Sequence, residues 1–294
     1  MEKNNKLKIC RWRSFLFFLL SVYFLSGCSQ HTEIDDDMDQ RNAIGFSCTT
    51  DDAGTRVSET DINNMEYFRV SAVWHRKDVF LMHNQLVEKT NNGWEYSPTL
   101  YWPGQDELSF FAYTPAISKG MTKYDIDKSN RKCTIEYTVD TDADKQEDFM
   151  VATALDKTSG PVELEFKHAL SLVNFEIQSS DGSRRISKIQ LVNLKNEGVL
   201  TNTPDGAWTW ATSDDSPYVS YSIDFKYPVE ITDTYKEVGK MLAVLPQAID
   251  DSQILYPFKI LITDEAEKTY DFQPTGLIFQ MGKRYTFKIT LSAT

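Results

Sequence analysis

The chain has 294 residues, with 43 acidic against 31 basic side chains and a formal net charge of −12. A surface of that sign repels nucleic acid phosphates and anionic lipid headgroups, which argues against both as partners. Val, Ile, Thr, Tyr, Phe and Trp recur along the chain without long stretches of helical periodicity, which predicts an all-β class.

At the N-terminus, Lys3, Lys6, Lys8, Arg11 and Arg13 precede an apolar run from Phe15 to Leu25 and then Leu25-Ser26-Gly27-Cys28. That order reads as a secretory signal. The apolar run is shorter than the about 20 residues a permanent spanning helix needs, so residues 1–27 are expected to be cut off. Small residues followed by Cys resemble the lipobox of bacterial lipoproteins, which implies acylation at Cys28 and a lipid anchor in the membrane, each buried methylene adding ~0.8 kcal/mol. Ser29 stands where an Asp would resemble the inner-membrane retention signal, so the outer membrane is favoured. Residues 28–42 form a tether that contains Glu33-Ile34-Asp35-Asp36-Asp37-Met38-Asp39, five acids without a base. That run is too charged to bury, and it resembles the short acidic signals that send lipoproteins to the outer face in Bacteroidetes. Without the leader the balance is 26 bases to 42 acids, a net charge of −16.

Beyond the tether, period-2 alternation marks half-buried strands at Cys133 to Val139, Val162 to Phe166, Phe258 to Ile262 and Tyr285 to Leu291. Asn91-Asn92-Gly93 separates the runs Val79 to Glu88 and Trp94 to Tyr96, and Asn-Gly predicts a hairpin because both residues tolerate positive φ. Similar punctuation at Ser180-Asp181-Gly182, Asn196-Glu197-Gly198 and Pro204-Asp205-Gly206 suggests β-sandwiches. The seam between two domains, residues 43–160 and 161–294, is placed at Thr158-Ser159-Gly160-Pro161. Just past it the inward face shifts from even positions (Leu164, Phe166) to odd ones (Val173, Phe175, Ile177), which calls for a bulge or crossover near Lys167-His168-Ala169.

Cys48 is in phase with Ile44 and Phe46, and Cys133 with Ile135, Tyr137 and Val139, so both thiols are expected to point inward. An exported protein can pair them in a disulfide, and two unpaired core thiols fit the pattern equally well.

Catalytic chemistry leaves little trace. There is no Gly-x-Ser-x-Gly elbow, and the histidines are His31, His75, His83 and His168. No third ligand lies near His75 and His83, and His168 sits inside an apolar strand pattern, where a hydrogen-bonded structural histidine is expected. Asp140, Asp142 and Asp144 have the opening spacing of a calcium loop, but Lys145 stands where that loop needs Gly and Val151 where it needs Glu. An acidic solvated loop is the better reading. No metal, cofactor or enzymatic activity is expected. Trp94, Trp102, Trp208 and Trp210 could stack on sugars if exposed, although Trp208 and Trp210 share one strand face and are expected to pack inward.

Several segments in order resemble the fimbrillin family of Bacteroidetes, in particular its Mfa-like branch. Ile44-Gly45-Phe46-Ser47 followed by Gly54-Thr55-Arg56 is similar to the family's first strand and its Thr-Arg site. Tyr101-Trp102-Pro103 and Leu108 to Pro115 look like its tryptophan-proline and aromatic strand. Asp148 to Ala152, Phe166 to Leu170 and Leu242 to Gln247 resemble later pieces, so nearly the whole mature chain is covered.

The resemblance implies two tandem transthyretin-like β-sandwiches, a lipoprotein precursor, and a structural or adhesive role in surface pili. It also implies that an arginine-specific protease removes the leading strand so that a neighbouring subunit's strand can fill the groove by β-strand addition. The cut would fall at Arg41 or Arg56. Arg56 is preferred, because a cut there releases Ile44, Phe46 and Cys48, whereas a cut at Arg41 removes only the tether. The expected partners are other fimbrial subunits, the outer membrane through the lipid, and a host or bacterial surface ligand. The sequence stops directly after Tyr285 to Leu291, so donation would need the last strand to swing out, or the chain to be a tip, accessory or anchor subunit. A monomeric surface lipoprotein that binds glycan or protein is the alternative.

Overall fold

The computed structural model describes residues 42–50, 63–250, 252 and 255–292. In chain order the strands are β1 (Phe46–Thr50), β2 (Tyr67–Trp74), β3 (Val79–Thr90), β4 (Gly93–Glu95), β5 (Leu108–Thr114), β6 (Met121–Asp127) and β7 (Lys132–Thr138). There follow β8 (Met150–Lys157), β9 (Val162–His168), β10 (Ser171–Ser179), β11 (Arg184–Lys195), β12 (Glu197–Asn202), β13 (Trp208–Ala211) and β14 (Tyr218–Ile231). The last are β15 (Lys236–Glu237), β16 (Leu242–Val244), β17 (Gln247–Ala248), β18 (Lys259–Asp264), β19 (Thr269–Phe272), β20 (Ile278–Phe279) and β21 (Arg284–Leu291). A single 3₁₀ turn at His75–Lys77 is the one helical element among the described residues. The expected all-β class is what the chain adopts.

The largest sheet has seven strands in the order β1-β9-β8-β5-β2-β3-β4. Its central strand β5 is buried at every position, so it reads as the continuous run Leu-Ser-Phe-Phe-Ala-Tyr-Thr rather than as an alternation. Leu108, Phe110 and Ala112 face one hydrophobic core together with Phe68, Val70, Met150, Leu164 and Phe166. Phe111 and Tyr113 face the other way, into a second and larger core. That second core also holds Ile135 and Tyr137 of β7 and Leu200 of β12, and it continues through Val173, Phe175 and Ile177 of β10 to Ile189 and Leu191 of β11.

Sheets therefore stack in sandwich-like layers. β13-β12-β7-β6 forms one sheet, β14-β11-β18-β19 another, and β10 carries β15 and β16 together with a parallel β21. The hairpin β12–β13, from beyond residue 161, pairs through β12 with β7, from before it.

The shift of inward face after Phe166 has a simple cause. β9 pairs with β8 and β1, whereas β10, two residues later, belongs to a different sheet. Ala169 and Leu170 make the crossing, both buried. The Asn91-Asn92-Gly93 turn joins β3 to β4, with Gly93 at φ 114°. Pro204-Asp205-Gly206 turns β12 into β13. Asn196 marks a strand-to-strand step instead of a hairpin, because β11 and β12 lie in different sheets.

Candidate functional site

β1 is the terminal strand of the seven-stranded sheet and runs parallel to β9, with Phe46 opposite Val162 and Thr50 opposite Phe166. A parallel edge strand of five residues is a weak element by its ladder alone. Its hold comes from side chains. Ile44 is 2% and Phe46 8% exposed, and burying such a side chain contributes roughly 1.5–3 kcal/mol. The Phe46 ring meets Phe68, Tyr96 and Phe110 edge-on, with centroids 5.6, 5.7 and 6.1 Å away, geometry that adds to the area term.

The segment before β1 is tied to the connection between β4 and β5. The Ile44 N–H donates to the Leu100 carbonyl (2.9 Å), the Trp102 N–H donates to the Asn42 carbonyl (3.2 Å), and Ala43 forms an antiparallel bridge with Tyr101. The Tyr96 hydroxyl donates to the Ile44 carbonyl at 2.8 Å and accepts from the Leu100 N–H at 3.3 Å. On the other side the Val162 N–H donates to the Gly45 carbonyl (2.8 Å), and the Trp102 indole donates to the Gly160 carbonyl (3.2 Å). Residues 42–50 thus plug one face of the first core, bonded on both flanks. Tyr96, Leu100 and the β9 edge carry no local signal of this role in the sequence, because each reaches the 42–50 segment from some 50 or more residues away in the chain.

Cys28, Arg41 and Arg56, the expected acylation and cleavage positions, lie outside the described residues, as does His31. Cys48 and Cys133 are both free. They point inward as expected but into different cores, Cys48 against the first and Cys133 inside the second. Burial pushes the Cys48 thiol up to about 12, opposed by the Lys89 ammonium. Burial likewise raises Cys133, opposed by a hydrogen bond from Tyr124.

The acidic loop is braced by its own backbone and by two lysines, one of them from outside it. The Asp142 N–H donates to Asp140 and the Asp144 N–H to Asp142, while Lys145 pairs with Asp142 and Lys240 with Asp144. Glu147 instead anchors the 118–120 loop, accepting from the Lys119 and Gly120 N–H groups and the Tyr137 hydroxyl. His75 and His83 are not a pair. His75 Nε2 lies 2.7 Å from the Ser109 hydroxyl, and His83 sits within β3 against the Phe80 ring. Burial first, then the Arg131 guanidinium, lowers the His75 pKa. His168 is buried and pairs with Asp148 at 2.8 Å. Trp102 is in the first core with Trp94 packed against it, and Trp208 and Trp210 pack against the second, so the four tryptophans do not form an open platform.

A sequence profile of the fimbrillin-like family matches residues 35–294. A fimbrium subunit, Fim1C, of Phocaeicola vulgatus is 25% identical over 246 residues, which cover 71% of this chain and 65% of that protein, so the chain spans just under two thirds of this relative's length. Two solved structures share the fold. A candidate cell adhesion protein from Bacteroides ovatus superposes with a TM-score of 0.59 at 15% identity, covering 85% of this chain and 92% of that one. Another from Bacteroides uniformis gives 0.54 at 18% identity, covering 85% and 94%. With a family profile spanning the strands described above from end to end, this chain belongs to the fimbrillin-like family.

Proposed function

We propose that this chain is a non-enzymatic structural or adhesive subunit of a cell-surface fimbria, exported as a lipoprotein through Cys28 and assembled by strand exchange after a cut at Arg56. The observation that carries the reading is β1 itself. Ile44, just before a terminal strand of five residues, and Phe46, its first residue, fill the first core, and the segment that follows this strand contains Arg56. Loss of residues 42–56 would uncover the β9 edge from Val162 to Phe166 and the apolar seat of Phe46. A neighbouring subunit's strand, with apolar side chains at alternate positions, fits such a vacancy by β-strand addition. Contacts of that head-to-tail kind propagate into filaments.

The test is mass spectrometry of the chain in fimbriae sheared from its native cells, read at the N-terminus. A chain that begins at Val57 is expected. Absence of the chain from sheared filaments sinks the fimbrial reading. Presence only as a form beginning at acylated Cys28 keeps an anchoring role and removes strand exchange.

A further inference from the structure

We propose that Tyr218, Tyr256 and the cleft beside them bind one neutral sugar residue of a glycan. The two rings stack nearly parallel, with centroids 5.5 Å apart and planes at 20°. They do so at the surface, where Tyr218 is 38% and Tyr256 53% exposed. Large aromatic side chains normally cover core or seat their polar ends on protein partners. The hydroxyls of Tyr96, Tyr113, Tyr137, Tyr221 and Tyr285 do so. No described residue bonds either phenol oxygen of the Tyr218–Tyr256 pair.

Beside the pair lies a cleft of about 270 Å³, lined by Asn193, Thr212 and Asp214 among others. The Asn193 amide N–H donates to the Pro257 carbonyl (2.8 Å), which leaves its Oδ1 as an acceptor. Asp214 is fully exposed. Lys195, the cation at the cleft, is already engaged by the Ser213 carbonyl and sits 3.9 Å from Asp214.

The site therefore offers an aromatic surface, two phenol hydroxyls, an amide oxygen, a threonine hydroxyl and the carboxylates of Asp214 and Asp250, with no unengaged positive charge. A pyranose matches that set. One of its faces is apolar C–H, which stacks on an aromatic ring, and each rim hydroxyl both donates and accepts. Pockets that join apolar surface to a few placed polar groups are the usual form of small-ligand sites. Asp214 and the chain's net charge of −12 disfavour acidic sugars, so the ligand is neutral. Under the fimbrial reading the site would supply adhesion. Sugar binding is measured on the isolated chain and strand removal on native filaments, so either idea can fail alone.

The experiment is saturation-transfer NMR on the full chain with the methyl glycosides of glucose, galactose, mannose and N-acetylglucosamine, with methyl sialoside and arginine methyl ester as controls. At least one neutral glycoside should bind with millimolar affinity, indifferent to raised salt, and the sialoside about tenfold more weakly or not at all. Tyr256→Ala should weaken binding about tenfold, while Tyr256→Phe, which keeps the stacking face, should stay within about threefold. Asp214→Asn, at a fully exposed position, gives a second reading that does not depend on packing and should weaken binding measurably. The proposal is overturned if none of the four glycosides binds, or if Tyr256→Ala binds like the parent. It is equally overturned if arginine methyl ester binds best and is lost in raised salt, since the site then selects cations.

Discussion

β1 and β21 are both parallel strands that pair on one side only, yet they are held by different means. β21 lies along β10 over eight positions, from Leu172 opposite Arg284 to Ser179 opposite Leu291. It buries only Ile289 and Leu291, with Phe287 stacked on Phe175. β1 has five ladder positions, but the segment leading into it carries Ile44 and the strand itself Phe46, which touches three rings. Ladder length fixes register and spreads the hold across many backbone groups, whereas side-chain anchors concentrate it. A strand held by anchors can be freed by losing one of them. A strand held along a ladder leaves only as a whole.

The comparison breaks or sharpens first at Phe46. Phe46→Ala removes a buried ring from a core that cannot collapse around three other aromatics, and should cost about 3–5 kcal/mol in urea unfolding. Ile289→Ala in β21 should cost less, about 2–3 kcal/mol, near the low end for a buried aliphatic truncation. If the two losses are equal, or the order reverses, the anchors of β1 are not what distinguishes it. A smaller effect is expected at Tyr96→Phe, which leaves the Ile44 carbonyl without its side-chain donor. The expected loss is about 1–2 kcal/mol, with faster amide exchange confined to residues 42–50. Exchange that rises equally in β21 would show that the two strands open together.

Much of this architecture is legible in the sequence where the signal is local. The Asn91-Asn92-Gly93 turn and the alternation in β7, β9, β18 and β21 follow from neighbours within a few residues. The reversal of inward face near His168 correctly marks a crossover, because a change of sheet must reset the phase. What the sequence hides is pairing at a distance. Nothing in Ile44 to Thr50 says that its partner is Val162 to Phe166, or that β12 will pair with β7. Such choices are made by which apolar faces remain uncovered once the sheets form. Cys48 and Cys133 show the limit clearly, since their phase gives the inward direction and cannot say that they enter different cores.

That separation of the two thiols gives the finest test of the comparison. Cys48 follows Phe46 on the inward side of β1, half-buried, and burial raises its pKa from 9.0 to about 12, while Cys133 lies on β7 fully buried. A neutral thiol is favoured in the seated strand, so between pH 9 and 12 the detached or unfolded chain binds fewer protons. The contribution of Cys48 to the hold of β1 is therefore whole below about pH 9 and is lost as pH rises toward 12. Iodoacetamide reacts with thiolate, so labelling under native conditions reports how often each cysteine leaves its seat. If β1 opens by itself, as regions of low local stability do, Cys48 should label well before Cys133, and the gap should narrow as pH rises above 9, because burial raises both thiols and opening of the whole chain gains from both. Equal rates for both would mean that β1 leaves only when the whole protein unfolds, and that its short ladder and aromatic anchors hold it as firmly as eight pairs hold β21.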